Sequence, residues 1–164
     1  MQTLLGQIKL RELEERLDEL IGMYGLQLRY DEERQFRARI AVHENDYSFI
    51  ELHADLKDKK YLLTRIILKA HELGHYLSYS VFFQENYTMW VIDKTIDEKE
   101  EEMRAWEFAY QVLSDLEFDY WDQFEQYGKW ALSTYYKVYH NPKEGVHHAV
   151  VTEFFDSLLA NVTA

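Results

Sequence analysis

The chain has 164 residues, 47% hydrophobic and 29% charged, and no cysteine. That composition fits one soluble domain over 1–164, with no need of a disulfide and no means of building a thiolate metal site. Its 18 Lys and Arg against 30 Asp and Glu give a net charge of −12, which repels phosphate backbones, argues against direct nucleic-acid binding, and suits a basic protein partner.

The N-terminus, MQTLLGQIKLRELEERL, becomes charged too early for a secretory signal. No apolar run reaches the ~20 residues of a membrane span, so the cytoplasm is the expected compartment. From Leu4 to Tyr24 the apolar positions Leu10, Leu13, Leu17, Leu20, Ile21 and Tyr24 recur at helical spacing, with Gly25 as a stop. Residues 26–53 then alternate. Leu26, Leu28 and Tyr30, the stretch Phe36 to Val42, and Tyr47 to Leu52 after the turn-like Glu44-Asn45-Asp46 predict three short strands. The expected product is a small three-stranded antiparallel sheet in a mainly helical α+β fold. The sheet's edge is a candidate peptide-binding strand. His43 and His53 fall near turns, where a histidine more often caps or faces solvent than ligates a metal.

Asp55 or Asp58 is placed to cap the next helix, which should run through about Tyr79. Leu62, Leu63, Ile66, Ile67, Ala70, Leu73 and Leu77 form its apolar stripe. Inside it stands His71-Glu72-Leu73-Gly74-His75. On a helix the two histidines project from one face, one turn apart, and both imidazoles can reach one Zn²⁺. Glu72 points aside, where it can serve as general base, as in metal-dependent peptidases. Gly74 in mid-helix costs about 1 kcal/mol relative to Ala and is accounted for by the close approach of another backbone. Mn²⁺ or Fe²⁺ would suit the same ligand types.

Ser80 to Trp90 is aromatic and irregular, open to reading as lid, substrate wall or core. A further helix begins near Thr95 or Asp97 and buries Ala105, Phe108, Ala109, Val112 and Leu116. A catalytic zinc site takes three protein ligands and keeps an open position. Running that stripe back one turn offers Glu98, Glu101 or Glu102 as the third ligand, and periodicity does not choose among them. Residues 117–139 are densely aromatic, with Tyr120, Phe124, Tyr127, Trp130, Leu132 and Tyr135 at helical spacing, most simply core. After Pro142 a last helix from Glu144 to Val162 is expected to bury Val146, Ala149, Val150, Phe154, Phe155, Leu158 and Leu159. His147-His148 reads as a surface pair.

HELGH followed by Glu102-x-x-Ala105-x-x-Phe108-Ala109 resembles the ImmA/IrrE family of zinc metallopeptidases. The resemblance covers about residues 10–116 and leaves 117–164 as an aromatic helical extension. It implies a zincin-like fold, Zn²⁺ held by His71, His75 and Glu102, and Glu72 as the catalytic base. It also implies cleavage or inactivation of a helix-turn-helix repressor of a phage, mobile element or stress regulon. Trp106 stands where the family commonly has Asn, and the proline often seen after the Phe-Ala helix is missing. Tyr76, Tyr79, Tyr87 and His53 are the candidates for an oxyanion donor. The alternative is a non-proteolytic binding protein, an anti-repressor or partner-blocking factor with a structural zinc site, to which the aromatic tail and acidic surface lend support.

Overall fold

Helix α1, Leu4–Met23, is closed at both ends by its own sequence in the computed structural model, which describes residues 3–32, 37–41, 48–82, 98–136 and 149–162. Thr3 Oγ1 accepts the Gly6 N–H at 3.1 Å. At the other end Gly25 adopts φ +76°, the left-handed conformation that glycine takes without strain. There the Leu26 N–H reaches the Ile21 carbonyl at 3.3 Å and the Gly25 N–H the Gly22 carbonyl at 2.9 Å, a Schellman stop.

Three strands follow: β1 (Gln27–Asp31), β2 (Ala38–Ala41) and β3 (Phe49–His53). The sheet is mixed, which corrects the antiparallel expectation. Its order is β1-β3-β2, with β3 antiparallel to β2 and parallel to β1. Burial explains the order. Phe49, Ile50, Glu51 and Leu52 are all buried, so β3 takes the centre, while the half-exposed β1 and β2 become edges.

Two 3-10 turns, Ala54–Lys57 and Lys59–Tyr61, lead into helix α2, Leu62–Phe82. Asp58 caps the second turn by accepting the Lys60 N–H at 3.0 Å, and His53 caps the first through Nδ1 at 3.1 Å from the Asp55 N–H. α2 is tied to α1 by charge as well as by apolar contact. Arg65 grips the Glu14 carboxylate at 2.6 and 2.9 Å, and the buried Lys69 reaches Asp18 at 2.7 Å.

Helix α3, Glu98–Asp115, makes the most extensive helix–helix contact with α2. Gly74 is what permits it. A Cβ there would lie 2.1 Å from the Ala105 carbonyl oxygen, the close backbone approach that the sequence suggested. The buried stripe of α3 is Glu101, Ala105, Trp106, Ala109, Val112 and Leu113. Trp106 thus replaces Phe108 as the large inward side chain, and Phe108 and Leu116 are only half-buried.

Helices α4 (Trp121–Ser133) and α5 (Ala149–Leu159) complete the described chain. Phe124 and Phe155 pack edge-to-face on Trp106, with ring centroids at 5.3 and 5.8 Å, so the aromatic extension shares the core of the preceding helices. On α5 the inward residues are Val151, Phe155 and Leu159, whereas Ala149 and Val150, expected inside, are exposed, and Phe154 and Leu158 are half-buried. His43, Tyr87, Thr95, Asp97 and His147-His148 lie outside the described residues. No described helix is long and apolar enough to cross a membrane.

Candidate metal centre

α2 presents His71 and His75 toward α3, with ring centroids 4.6 Å apart. The Gly74–Ala105 contact brings the first turns of α3 within reach, and Glu102 spans both rings. Its Oε2 lies 3.2 Å from His71 Nε2 and its Oε1 3.2 Å from His75 Nε2. One atom from each of these three residues lies within 4.8 Å of the others, the only such group of His, Asp and Glu among the described residues. Of the three candidate glutamates, Glu102 therefore faces both histidines. Glu98 is exposed at the start of α3.

Glu101 does something the sequence reading did not assign. It is 1% exposed, and its Oε1 accepts from His75 Nδ1 at 3.2 Å. Its other oxygen accepts from Ser78 Oγ at 2.8 Å and from the Arg104 guanidinium at 3.2 Å. Two consecutive glutamates thus engage opposite nitrogens of one imidazole. A carboxylate behind a ligating histidine fixes its tautomer and raises its basicity. His71 is oriented differently. Its ring stacks on Trp106 at 4.2 Å and 28°, while its buried Nδ1 has no hydrogen-bond partner among the described residues.

The electrostatics favour a cation. Glu72, Glu101 and Glu102 bring three carboxyl groups to the two imidazoles, and Arg104 pairs with Glu101. Burial opposes an imidazolium at His75, yet the hydrogen-bonded carboxylates of Glu101 and Glu102 outweigh it and push its pKa up to about 10. Burial likewise opposes charge on Glu102, but the two imidazoles hold its carboxyl far below the ordinary carboxylate range. Without a metal, a proton on His75 supplies the positive charge that the cluster demands. Two imidazole nitrogens and one carboxylate oxygen suit Zn²⁺ and also accept Mn²⁺ or Fe²⁺.

These side chains form one wall of a cleft of about 630 Å³, lined also by Ala38, Arg39, Ile40, Tyr79, Tyr127, Trp130 and Tyr135. Glu72 enters it beside the pair of histidines. Burial raises its pKa, the two imidazoles pull it back, and the Ile40 backbone N–H donates to its carboxylate. That bond follows from sheet register. Arg37 takes the His53 N–H at 2.8 Å, so alternation turns the backbone groups of Ala38 and Ile40 away from β3. The outer edge of β2, which pairs with no other strand among the described residues, therefore runs along the cleft.

The expected oxyanion donors separate. Tyr79 stacks on His75 at 5.9 Å and lines the cleft. Tyr76 instead packs against Tyr24, and His53 is committed to its cap. A phenol not among those candidates, Tyr135 just beyond α4, donates to Glu102 Oε1 at 3.0 Å. Burial, with the Glu102 carboxylate beside it, raises its pKa and keeps it a donor. The reading of residues 117–139 as core overlooked it, because a hydroxyl in an aromatic run leaves no periodic mark. No protein-family model, curated protein or solved structure matches the chain.

Proposed function

We propose that the chain is a zinc-dependent endopeptidase of the ImmA/IrrE kind, with His71, His75 and Glu102 as metal ligands and Glu72 as general base. The observation that carries this reading is the convergence of two imidazoles and one carboxylate, from two helices, on the wall of an open cleft. A structural zinc site would be closed by a fourth protein ligand, whereas the three donors that converge among the described residues, beside open space, suit catalysis.

When bound, Zn²⁺ supplies Lewis acidity to a peptide carbonyl and brings the pKa of water toward about 7. The chain's own residues do the rest. Glu72, steadied by the Ile40 N–H, takes a proton from the attacking water and returns it to the leaving nitrogen. The outer edge of β2, through the Ala38 backbone and the Ile40 carbonyl, holds the substrate in extended form by strand addition. Tyr135 turns its O–H from Glu102 to the carbonyl oxygen as negative charge develops there. Glu101 keeps His75 oriented throughout.

The substrate class comes from the resemblance: a helix-turn-helix repressor of a phage, mobile element or stress regulon, met through an acidic surface of net charge −12. Incubating the zinc-loaded protein with a repressor encoded beside it, with and without chelator, tests the reading. Discrete fragments that vanish with chelator are expected. Glu72→Gln should keep zinc and lose cleavage, and His71→Ala should lose both. Cleavage retained by Glu72→Gln refutes the scheme, and a stable complex without fragments supports the non-proteolytic binder instead.

A further inference from the structure

The metal cleft does not end at the histidines. A second hollow of about 420 Å³ adjoins it and shares Arg37, Tyr127 and Trp130 with it. Its remaining lining includes Leu63 and Ile67 of α2 and Gln126 of α4. Leu63, Ile67, His71 and His75 are successive i, i+4 positions on one face of α2, so the second hollow lies one to two turns upstream of the metal ligands, about 6–12 Å along the helix. α4 tracks the same course, with Gln126 at the second hollow and Tyr135, just past its end, at the metal. So does the edge strand, where Arg37 precedes β2 and Ile40 meets Glu72. Three elements therefore flank one groove. From Leu63 to His75 it runs about 18 Å at 1.5 Å per residue, room for about five or six residues of extended peptide.

The second hollow has its own chemistry. Leu63 and Ile67 make an apolar wall, and Trp130 is 40% exposed, the largest aromatic ring presented to this groove. Arg39, next along the edge, is neutralised by Glu51 at 2.9 Å. Arg37 is exposed, its guanidinium 5.2 Å from the Tyr61 ring, and no carboxylate pairs with it among the described residues. Arg37 thus stands on the wall between two hollows with no acidic partner among the described residues, where its guanidinium can meet a ligand's carboxylate. Ile40 sits beside the general base, and Arg37 lies three residues away on the same edge, about 10 Å at 3.3 Å per residue.

We infer that Arg37, with the hollow formed by Leu63, Ile67, Gln126 and Trp130, is a substrate subsite for a carboxylate-bearing residue two or three positions from the cut bond. The apolar wall takes the stem of that residue and the guanidinium its carboxylate. This deepens the peptidase reading and rests on it for the position of the cut.

Two measurements decide it. The zinc-loaded protein is given a proteome-derived peptide library, and the cut sites are read by mass spectrometry. Asp and Glu should be enriched about 1.5- to five-fold at one position two or three residues from the cut, and Arg37→Glu should replace them with Lys and Arg. The second measurement needs no bond cleavage. Zinc-loaded Glu72→Gln protein is titrated with labelled hexapeptide pools, each prepared amidated and with a free C-terminus and carrying either Glu or Gln at one fixed position. Tighter binding of a Glu pool, lost in Arg37→Gln, is expected. A preference only for pools with a free C-terminus would assign the recognised carboxylate to the chain end. No carboxylate preference from either source, or one that Arg37→Glu leaves unchanged, overturns the subsite. Failure of the wild-type protein to cut any peptide counts against the peptidase reading, and the binding pools then still decide the subsite.

Discussion

Gly74→Ala is the sharpest test of how the fold makes the site. The added Cβ would stand 2.1 Å from the Ala105 carbonyl oxygen and 3.0 Å from its carbon, where ordinary contact begins at 3.4 Å. Both groups are backbone, so no rotamer change relieves the clash, and the helices must part by about 1 Å. Glu102 lies one turn before Ala105 and moves with it, beyond the roughly 0.5 Å over which a metal constellation keeps its geometry. Overpacking of this kind costs about 1–3 kcal/mol, and the better helix propensity of Ala returns about 1 kcal/mol. A net loss of up to about 2 kcal/mol lowers Tm by up to about 8 °C in a domain of this size. The larger effect falls on zinc, whose affinity should drop at least about ten-fold. Thermal melts with and without chelator, and zinc competition against a chromophoric chelator, measure both. Gly22→Ala is the control, since nothing lies within 4 Å of its added Cβ, and it should stabilise by about 0.4–1 kcal/mol. If Gly74→Ala bound zinc like the wild type, the claim that this contact places the third ligand would be wrong.

Other outcomes follow from the same geometry. Glu101→Gln removes the carboxylate behind His75 Nδ1 and should weaken zinc binding about 10–100-fold with helicity unchanged; an unaltered dissociation constant would deny Glu101 its orienting role. Tyr135→Phe should lower kcat about 100–1000-fold with little change in KM or zinc content, and a loss confined to zinc affinity would make Tyr135 a support for Glu102 only. Because the metal-free His75 holds its proton up to about 10, zinc must displace it. The apparent affinity should rise about ten-fold per pH unit from 7 to 9, with one proton released per ion in calorimetry across buffers, and a flat profile would refute this. The same raised value stabilises the metal-free fold fully below about 6.5, and that stability fades as pH climbs toward about 10.

What the sequence disclosed, it disclosed through local periodicity. α1 with its Gly25 stop and the long helix bearing His71 and His75 depend on residues within a turn or two of one another, and Gly74 was legible as a glycine inside that helix. The sheet order was hidden for the complementary reason. Alternation says which face a residue takes and leaves strand direction open, so the parallel pairing of β1 with β3 has no signature in Gln27–Asp31 or Phe49–His53. Trp106 escaped the stripe on α3 because its partners, His71, Phe124 and Phe155, arrive from three other helices.

The choice among the three candidate glutamates shows where periodicity stops and packing takes over. Glu98, Glu101 and Glu102 cluster toward one side of the same helix, and propensity values them alike. What separates them is the height at which α3 crosses α2, fixed by a glycine on one helix and an alanine carbonyl on the other. At that crossing, neighbouring glutamates meet one imidazole from two sides, Glu102 at Nε2 and Glu101 at Nδ1. Shifting the crossing by one residue would turn α3 by about 100° and take both carboxylates from their nitrogens. The acidic run therefore acquires its two roles from a contact between residues that carry no charge at all.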